Sequence, residues 1–144
     1  MVLVNEATSV LFKYLAAMPD AAEAAQVFAP AAVLEFAYFG SLDLPGRFEG
    51  REAIAKLLQK VTSDFEDFRF HNIQFFPAQE SFRAFGEYEV DVLVRATQRR
   101  YRQLYGAQVV VENGMTKRLR EFTDTVAIAQ AVFPGGILDL APQT

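Results

Sequence analysis

The 144-residue chain has no cysteine, no tryptophan and a single histidine, His71. Without cysteine, disulfides, thiolate nucleophiles and sulfur-ligated metal sites are excluded. A zinc centre of the common kind needs several His or Cys ligands, so no metal site is expected. Positive charge is also scarce: 14 Lys and Arg face 18 Asp and Glu, for a net charge of −4, and the one basic run is Arg99-Arg100-Tyr101-Arg102. A mildly acidic chain is poorly matched to a phosphate backbone, so no nucleic-acid partner is expected. The opening MVLVNEATSVLFKYLAAMPD lacks a basic start and an unbroken apolar run, because Asn5, Glu6 and Lys13 interrupt it. Neither a signal peptide nor a membrane span is expected, and a cytoplasmic location follows by default.

What the chain does have is apolar mass. Half of it is hydrophobic, with 14 Phe. The length fits one domain, residues 1–144, with a real core. So many large rings either fill a thick core or line an apolar cavity.

Val10, Leu11, Tyr14, Leu15 and Met18 recur at helical spacing after Asn5, a suitable N-cap, and Pro19 ends that helix. Asp20 and Glu23 have the spacing of a capping box and open a short second helix, which Pro30 is expected to end. Residues 31–39 read as a strand, and 40–50 as a Gly/Pro loop. Ile54, Leu57, Leu58 and Val61 mark a third amphipathic helix. After residue 66 the apolar period becomes two, giving strands near 67–77, 81–95, 99–112 and 115–128, with Asn113-Gly114 as a hairpin turn. Early helices and late strands indicate an α+β fold: a cone-shaped, curved antiparallel sheet with three N-terminal helices on its concave face. Such a cone leaves a concave pocket suited to a small molecule.

The stretches QVFAPAAVLEF, LPGRFEGREAIAKLL and YRQLYGAQVVVENGMTKRLREFTD, in that order and spacing, resemble the SnoaL-like family, within the ketosteroid-isomerase and nuclear-transport-factor-two fold. The last two also resemble the phenazine-biosynthesis A/B proteins, which end in a similar REF strand. The resemblance spans roughly residues 5–140 and implies a cone-shaped α+β barrel, a buried pocket, no metal or cofactor, and a homodimer. Family members include polyketide cyclases, isomerases, hydrolases and dehydratases, so the fold alone does not fix an activity.

Laid on this chain, the proton-shuttling Asp of ketosteroid isomerase falls on Phe36, its oxyanion-hole Asp on Ala107, and its oxyanion-hole Tyr on Tyr14. The general acid/base of the SnoaL cyclase also falls on Ala107. Neither Phe36 nor Ala107 can move a proton, so conventional steroid isomerisation and the SnoaL cyclase chemistry are not expected. The pocket glutamate of the phenazine A/B proteins falls on Glu121.

If position 107 faces the pocket, alternation places Tyr101, Gln103 and Tyr105 on the same inward row. These groups either orient an oxygen-bearing ligand or bond to one another and the backbone. Glu121 shares its face with Leu119 and Thr123, opposite Arg118, Arg120 and Phe122. It is either a pocket acid with a raised pKa or a charge paired with an arginine. His71 titrates near neutrality and is a third catalytic candidate, or else a structural or exposed strand residue. Glu87, Glu89 and Asp91 should lie on the convex face, pairing with Arg100, Arg102, Arg118 or Arg120. Arg47, in the LPGRFEG loop, is expected near the pocket mouth, free to meet a ligand carboxylate or simply exposed.

The expected function is cofactor-free acid–base chemistry on a small cyclic or polyketide-like carbonyl compound: isomerisation, cyclisation, condensation or dehydration. Glu121, Tyr14 and His71 would be catalytic, with Tyr101, Gln103, Tyr105, Phe36, Ala107 and Arg47 around the ligand. The alternative is a non-catalytic module that binds an apolar or aromatic ligand, or a partner protein, on the same scaffold.

Overall fold

The computed structural model describes residues 5–140. Helix α1, Glu6–Ala17, starts at Asn5, whose side chain accepts the Thr8 N–H at 2.8 Å while Thr8 Oγ1 accepts the Asn5 N–H at 3.2 Å. That reciprocal pair satisfies two donors the helix leaves open. Asp20 caps α2, Ala21–Ala25, by accepting the Glu23 N–H at 3.0 Å. Strand β1, Phe28–Phe36, follows, and then β2, Arg47–Glu49, α3, Arg51–Asp64, and β3, His71–Pro77. The chain continues through β4, Arg83–Leu93, β5, Arg100–Glu112, β6, Met115–Phe122, and α4, Thr125–Val132. Short 3-10 turns occupy Phe39–Leu42 and Gly136–Leu140.

The six strands form one curved, open sheet in the order β2-β1-β6-β5-β4-β3. The α+β class and the covered sheet match the sequence-based expectation, with four differences. First, β1 runs parallel to β6, so the sheet is not wholly antiparallel. Second, residues 47–49 pair with β1 and make a sixth strand where the sequence suggests a loop. Third, Pro30 does not end a helix. It sits in β1, between Phe28 and Val33, where the register with β6 shifts and a missing N–H disturbs no ladder. Fourth, β6 stops at Phe122 and a fourth helix begins. Its N-cap is Asp124, which accepts the Ala127 N–H at 3.1 Å.

The Asn113-Gly114 turn has positive φ at both residues, 53° and 75°, as the β5–β6 hairpin requires. It fixes the register of β6 on β5, and therefore which β6 side chains point inward. The core between helices and sheet contains Leu11 and Leu15 of α1, Ile54 and Leu58 of α3, and Phe28, Leu34, Tyr88, Val90, Val109 and Leu119 of the sheet, all nearly or fully buried. Each such side chain contributes roughly 1.5–3 kcal/mol of apolar burial. Helix α1 lies so close that a Cβ at Gly86 would come within 2.9 Å of Leu11 Cδ2. No helix among the described residues is long and apolar enough to cross a membrane.

Candidate functional site

Strand alternation divides the KRLREF segment between two faces. Leu119 and Glu121 point inward, with Glu121 only 2 % exposed. Arg118 and Arg120 point outward, where they meet Glu35 at 3.4 and 3.0 Å. Arg47 joins the same carboxylate at 3.0 Å and also binds Glu49 at 2.7 Å. The arginines beside Glu121 in sequence thus belong to an outer-face cluster around Glu35.

Glu121 is held from across the sheet. The Tyr88 hydroxyl of β4 donates a short hydrogen bond to Glu121 Oε2. The two residues are two strands apart, and β5 runs between them. Ala107 of β5 lies directly opposite Glu121, and Tyr105 lies directly opposite Tyr88. The small Ala107 side chain leaves space above β5 for the Tyr88 phenol to reach the acid. Among the described residues, Tyr88 is the one hydrogen-bond donor to this carboxyl group.

The surroundings are aromatic. The Tyr88 and Tyr105 rings stack at 5.7 Å, and Phe70 meets both edge-on at 4.9 and 5.9 Å. Tyr14 of α1 packs against Phe28 at 5.3 Å and Phe70 at 5.9 Å. This apolar enclosure sets the electrostatics. Burial pushes the Glu121 carboxyl up to about 7, although the Tyr88 hydrogen bond pulls the other way. The Tyr14, Tyr88 and Tyr105 hydroxyls are held well above the ordinary tyrosine range, mainly by burial and further by the nearby Glu121. Burial raises Tyr101 as well. At neutral pH the site therefore presents four neutral hydroxyl groups around a carboxyl poised to gain or lose a proton.

The inward row of β5 is Tyr101, Gln103, Tyr105 and Ala107, all buried. The Tyr101 and Tyr105 hydroxyls lie 2.7 Å apart, and Gln103 Nε2 donates to the Tyr101 oxygen. Gln103 Oε1 accepts the main-chain N–H of Asp124 at 2.8 Å. These polar groups bond to one another and to the backbone. Just past Glu121, Thr123 Oγ1 is buried with no hydrogen-bond partner among the described residues.

Phe36 of β1 stands beside Glu121 in register, half-buried and stacked on Phe39 at 4.4 Å. His71 is elsewhere. It pairs in register with Glu89 on the outer face and lines a cleft of about 380 Å³ with Asn72, Asp91 and Arg102. Arg47 is on β2 and not in a loop, exposed and engaged with two glutamates. The outer acids divide their partners: Asp91 takes Arg100 through a two-pronged ion pair, which holds its carboxyl below the usual range, and Glu89 takes Asn72 at 2.6 Å. A neighbouring cleft of about 430 Å³ lies on the same strands, between Asn72, Glu87, Glu89 and Leu104, two further surface clefts of about 260 and 510 Å³ lie elsewhere, and Glu121 lines none of them. No group of three or more His or acidic residues placed to hold a metal occurs among the described residues.

Tyr88 is the site residue that sequence reasoning does not single out. It lies in the apolar row Ala84, Gly86, Tyr88, Val90, where its hydroxyl is the one polar group. That hydroxyl is the signal that could have found it.

Comparison with known proteins agrees with this architecture. No curated protein matches the chain. Among solved structures, a candidate isomerase from Bacillus subtilis aligns with a TM-score of 0.81 at 23% identity, covering 90% of this chain and 94% of that one. A phenazine biosynthesis-related protein from Pseudomonas aeruginosa aligns at 0.76 and 17% identity, covering 88% and 84%. A candidate polyketide cyclase from Xanthomonas campestris aligns at 0.72 and 21% identity, covering 83% and 91%. At these identities the three establish a common fold. The family model of the SnoaL-like domain matches residues 12–119, three quarters of the sequence, and the chain belongs to the SnoaL-like family.

Proposed function

We propose that this chain is an acid–base enzyme for a small cyclic or polyketide-like carbonyl compound, with Glu121 as the group that moves the proton. The observation that carries this reading is a carboxyl group buried among aromatic rings, with its pKa near 7 and no arginine, lysine or histidine bonded to it. Such a group takes a proton from the carbon next to a carbonyl and returns it elsewhere on the substrate, which is the common step of isomerisation, cyclisation, condensation and dehydration. Tyr14 and Tyr105 would polarise the carbonyl oxygen, and Tyr88 would hold the acid. The names borne by two structural relatives, isomerase and polyketide cyclase, are consistent with this chemistry. One domain over residues 1–144 and a homodimer complete the proposal. Light scattering on a sizing column tests the dimer, and a monomeric mass at micromolar concentration rejects it.

Proton exchange tests the chemistry without the natural substrate. Cyclic ketones and 1,3-diketones in deuterated buffer are followed by NMR for loss of the protons next to the carbonyl. Exchange catalysed by the unmodified protein and abolished in Glu121→Gln supports the proposal. Compounds that bind without exchanging support the second reading, a passive binding module. That reading is favoured by the absence of a carboxyl at Phe36 and Ala107 and by the mutual bonding of Tyr101, Gln103 and Tyr105.

A further inference from the structure

The Gln103 amide has an orientation fixed by chemistry. The Asp124 N–H can only donate, so the atom facing it at 2.8 Å must be the amide oxygen. The amide nitrogen then faces the Tyr101 hydroxyl and can only donate to it. The same nitrogen also lies 3.5 Å from the Asp124 carbonyl oxygen, so both main-chain groups of Asp124 select this orientation. A phenolic oxygen has two positions in the plane of its ring, one for its proton and one for an accepted hydrogen bond. Either hydroxyl could donate along the 2.7 Å contact between Tyr101 and Tyr105, and with Gln103 already donating to Tyr101 the favoured direction has the Tyr101 proton pointing at the Tyr105 oxygen. Tyr105 has thereby accepted its one in-plane bond. Its own proton is left over, and no acceptor for it occurs among the described residues.

We propose that Gln103 is a positioning residue: clamped by the main chain of Asp124, it aligns the Tyr101 and Tyr105 hydroxyls head to tail, so that Tyr105 presents its proton to an oxygen atom of the ligand. The favoured ligand oxygen is one that carries or gains negative charge, as in a carbonyl, enolate or phenolate. The Tyr105 ring stacks at 5.7 Å on Tyr88, whose hydroxyl donates to Glu121, so the presented proton belongs to the same site. Asp124 is also the N-cap of α4, so the start of that helix sets the direction of the chain. This inference rests on the pocket reading above and adds to it the donor that meets the oxygen, together with the residue that aims it.

The discriminating variant is Gln103→Glu. An ionised carboxylate of the same shape still accepts the Asp124 N–H but cannot donate to Tyr101. The Tyr101 proton would turn towards it, the Tyr105 proton would follow towards Tyr101, and the ligand would lose its donor. The probes are 4-nitrophenol and nitrobenzene, which share a ring and a nitro group and differ by one hydroxyl. Binding is followed by calorimetry and by the visible band of the nitrophenolate. The unmodified protein should bind both. Gln103→Glu should weaken 4-nitrophenol at least tenfold and leave nitrobenzene unchanged, and acidification that protonates the new carboxyl should restore affinity. Tyr105→Phe should show the same selective loss, and serves as the test if Gln103→Glu does not fold. Parallel weakening of both probes marks a merely structural role and overturns the inference, as does unchanged 4-nitrophenol binding in both variants. Binding of neither probe by the unmodified protein overturns the pocket reading as well.

Discussion

Tyr88 and Glu121 lie two strands apart in the sheet, yet the phenol of one donates to the carboxyl of the other across the small side chain of Ala107. That contact ties the one buried acid among the described residues to a residue far away in sequence.

The buried acid makes stability depend on pH in an uncommon direction. The carboxyl pKa is about 7 in the folded chain, against 4.5 for a glutamate open to water, as in the unfolded chain. Folding therefore favours the protonated form. The contribution of Glu121 is fully present below about pH 4.5 and is lost as pH rises through 7. The loss amounts to roughly 3 kcal/mol at 1.36 kcal/mol per pKa unit. Denaturant unfolding at pH 5 and pH 8 should show it, and Glu121→Gln should flatten the difference. A Glu121→Gln curve parallel to that of the unmodified protein would show that the acid is not the source.

Tyr88→Phe removes the hydrogen bond that favours the charged carboxylate. The Glu121 pKa should then rise further, because the effect of burial is left unopposed. Carbon-13 NMR of the glutamate carboxyls reads this directly as a later titration. Stability above neutral pH should fall by about 1.5–3 kcal/mol, the usual size of a hydrogen bond to a charged group. An unchanged or lower Glu121 pKa would contradict the contact.

Tyr14, Tyr88, Tyr101 and Tyr105 should resist ionisation well past the ordinary range. The tyrosinate absorbance band, followed upward in pH, should show these four appearing only with unfolding. Early ionisation of more than one of the five tyrosines, with the far-ultraviolet dichroism intact, would show the cluster open to water.

Glu35 serves three arginines on the outer face. Glu35→Gln should lower the melting temperature modestly in low salt, with an effect that shrinks as salt is added, because the arginines are partly exposed. It should leave the Glu121 titration in place. A shifted Glu121 titration would mean that the two faces are coupled through β6.

Most of the frame was legible because it is local. Asn5 and Asp20 cap their helices through neighbouring residues, and Asn113-Gly114 turns its hairpin by its own backbone. What escaped was set by distant partners or by coincidence of period. β2 is three residues long and is a strand only because β1 lies beside it. Val126 and Ile128 continue the two-residue alternation of β6 by chance, while the helix signal, Asp124 before an Ala-rich run, sits among them. At the site, alternation sorted Glu121 from Arg118 and Arg120. The Tyr88 contact depends on the registers of β4 on β5 and β5 on β6 together, which no single segment encodes. Placing His71 required the register of an edge strand that is irregular between residues 71 and 74.

Phe36, Glu121 and Ala107 are cross-strand neighbours on β1, β6 and β5. The family resemblance places an acid at the first and third of these positions, and this chain carries its acid at the second. Compared column by column, the sequence has lost two functional groups. Compared by location, this chain's buried carboxyl sits one strand to the side of either position. A sheet offers such adjacent seats at little cost to its backbone, so an acid absent from two columns of a sequence comparison can stand in the third.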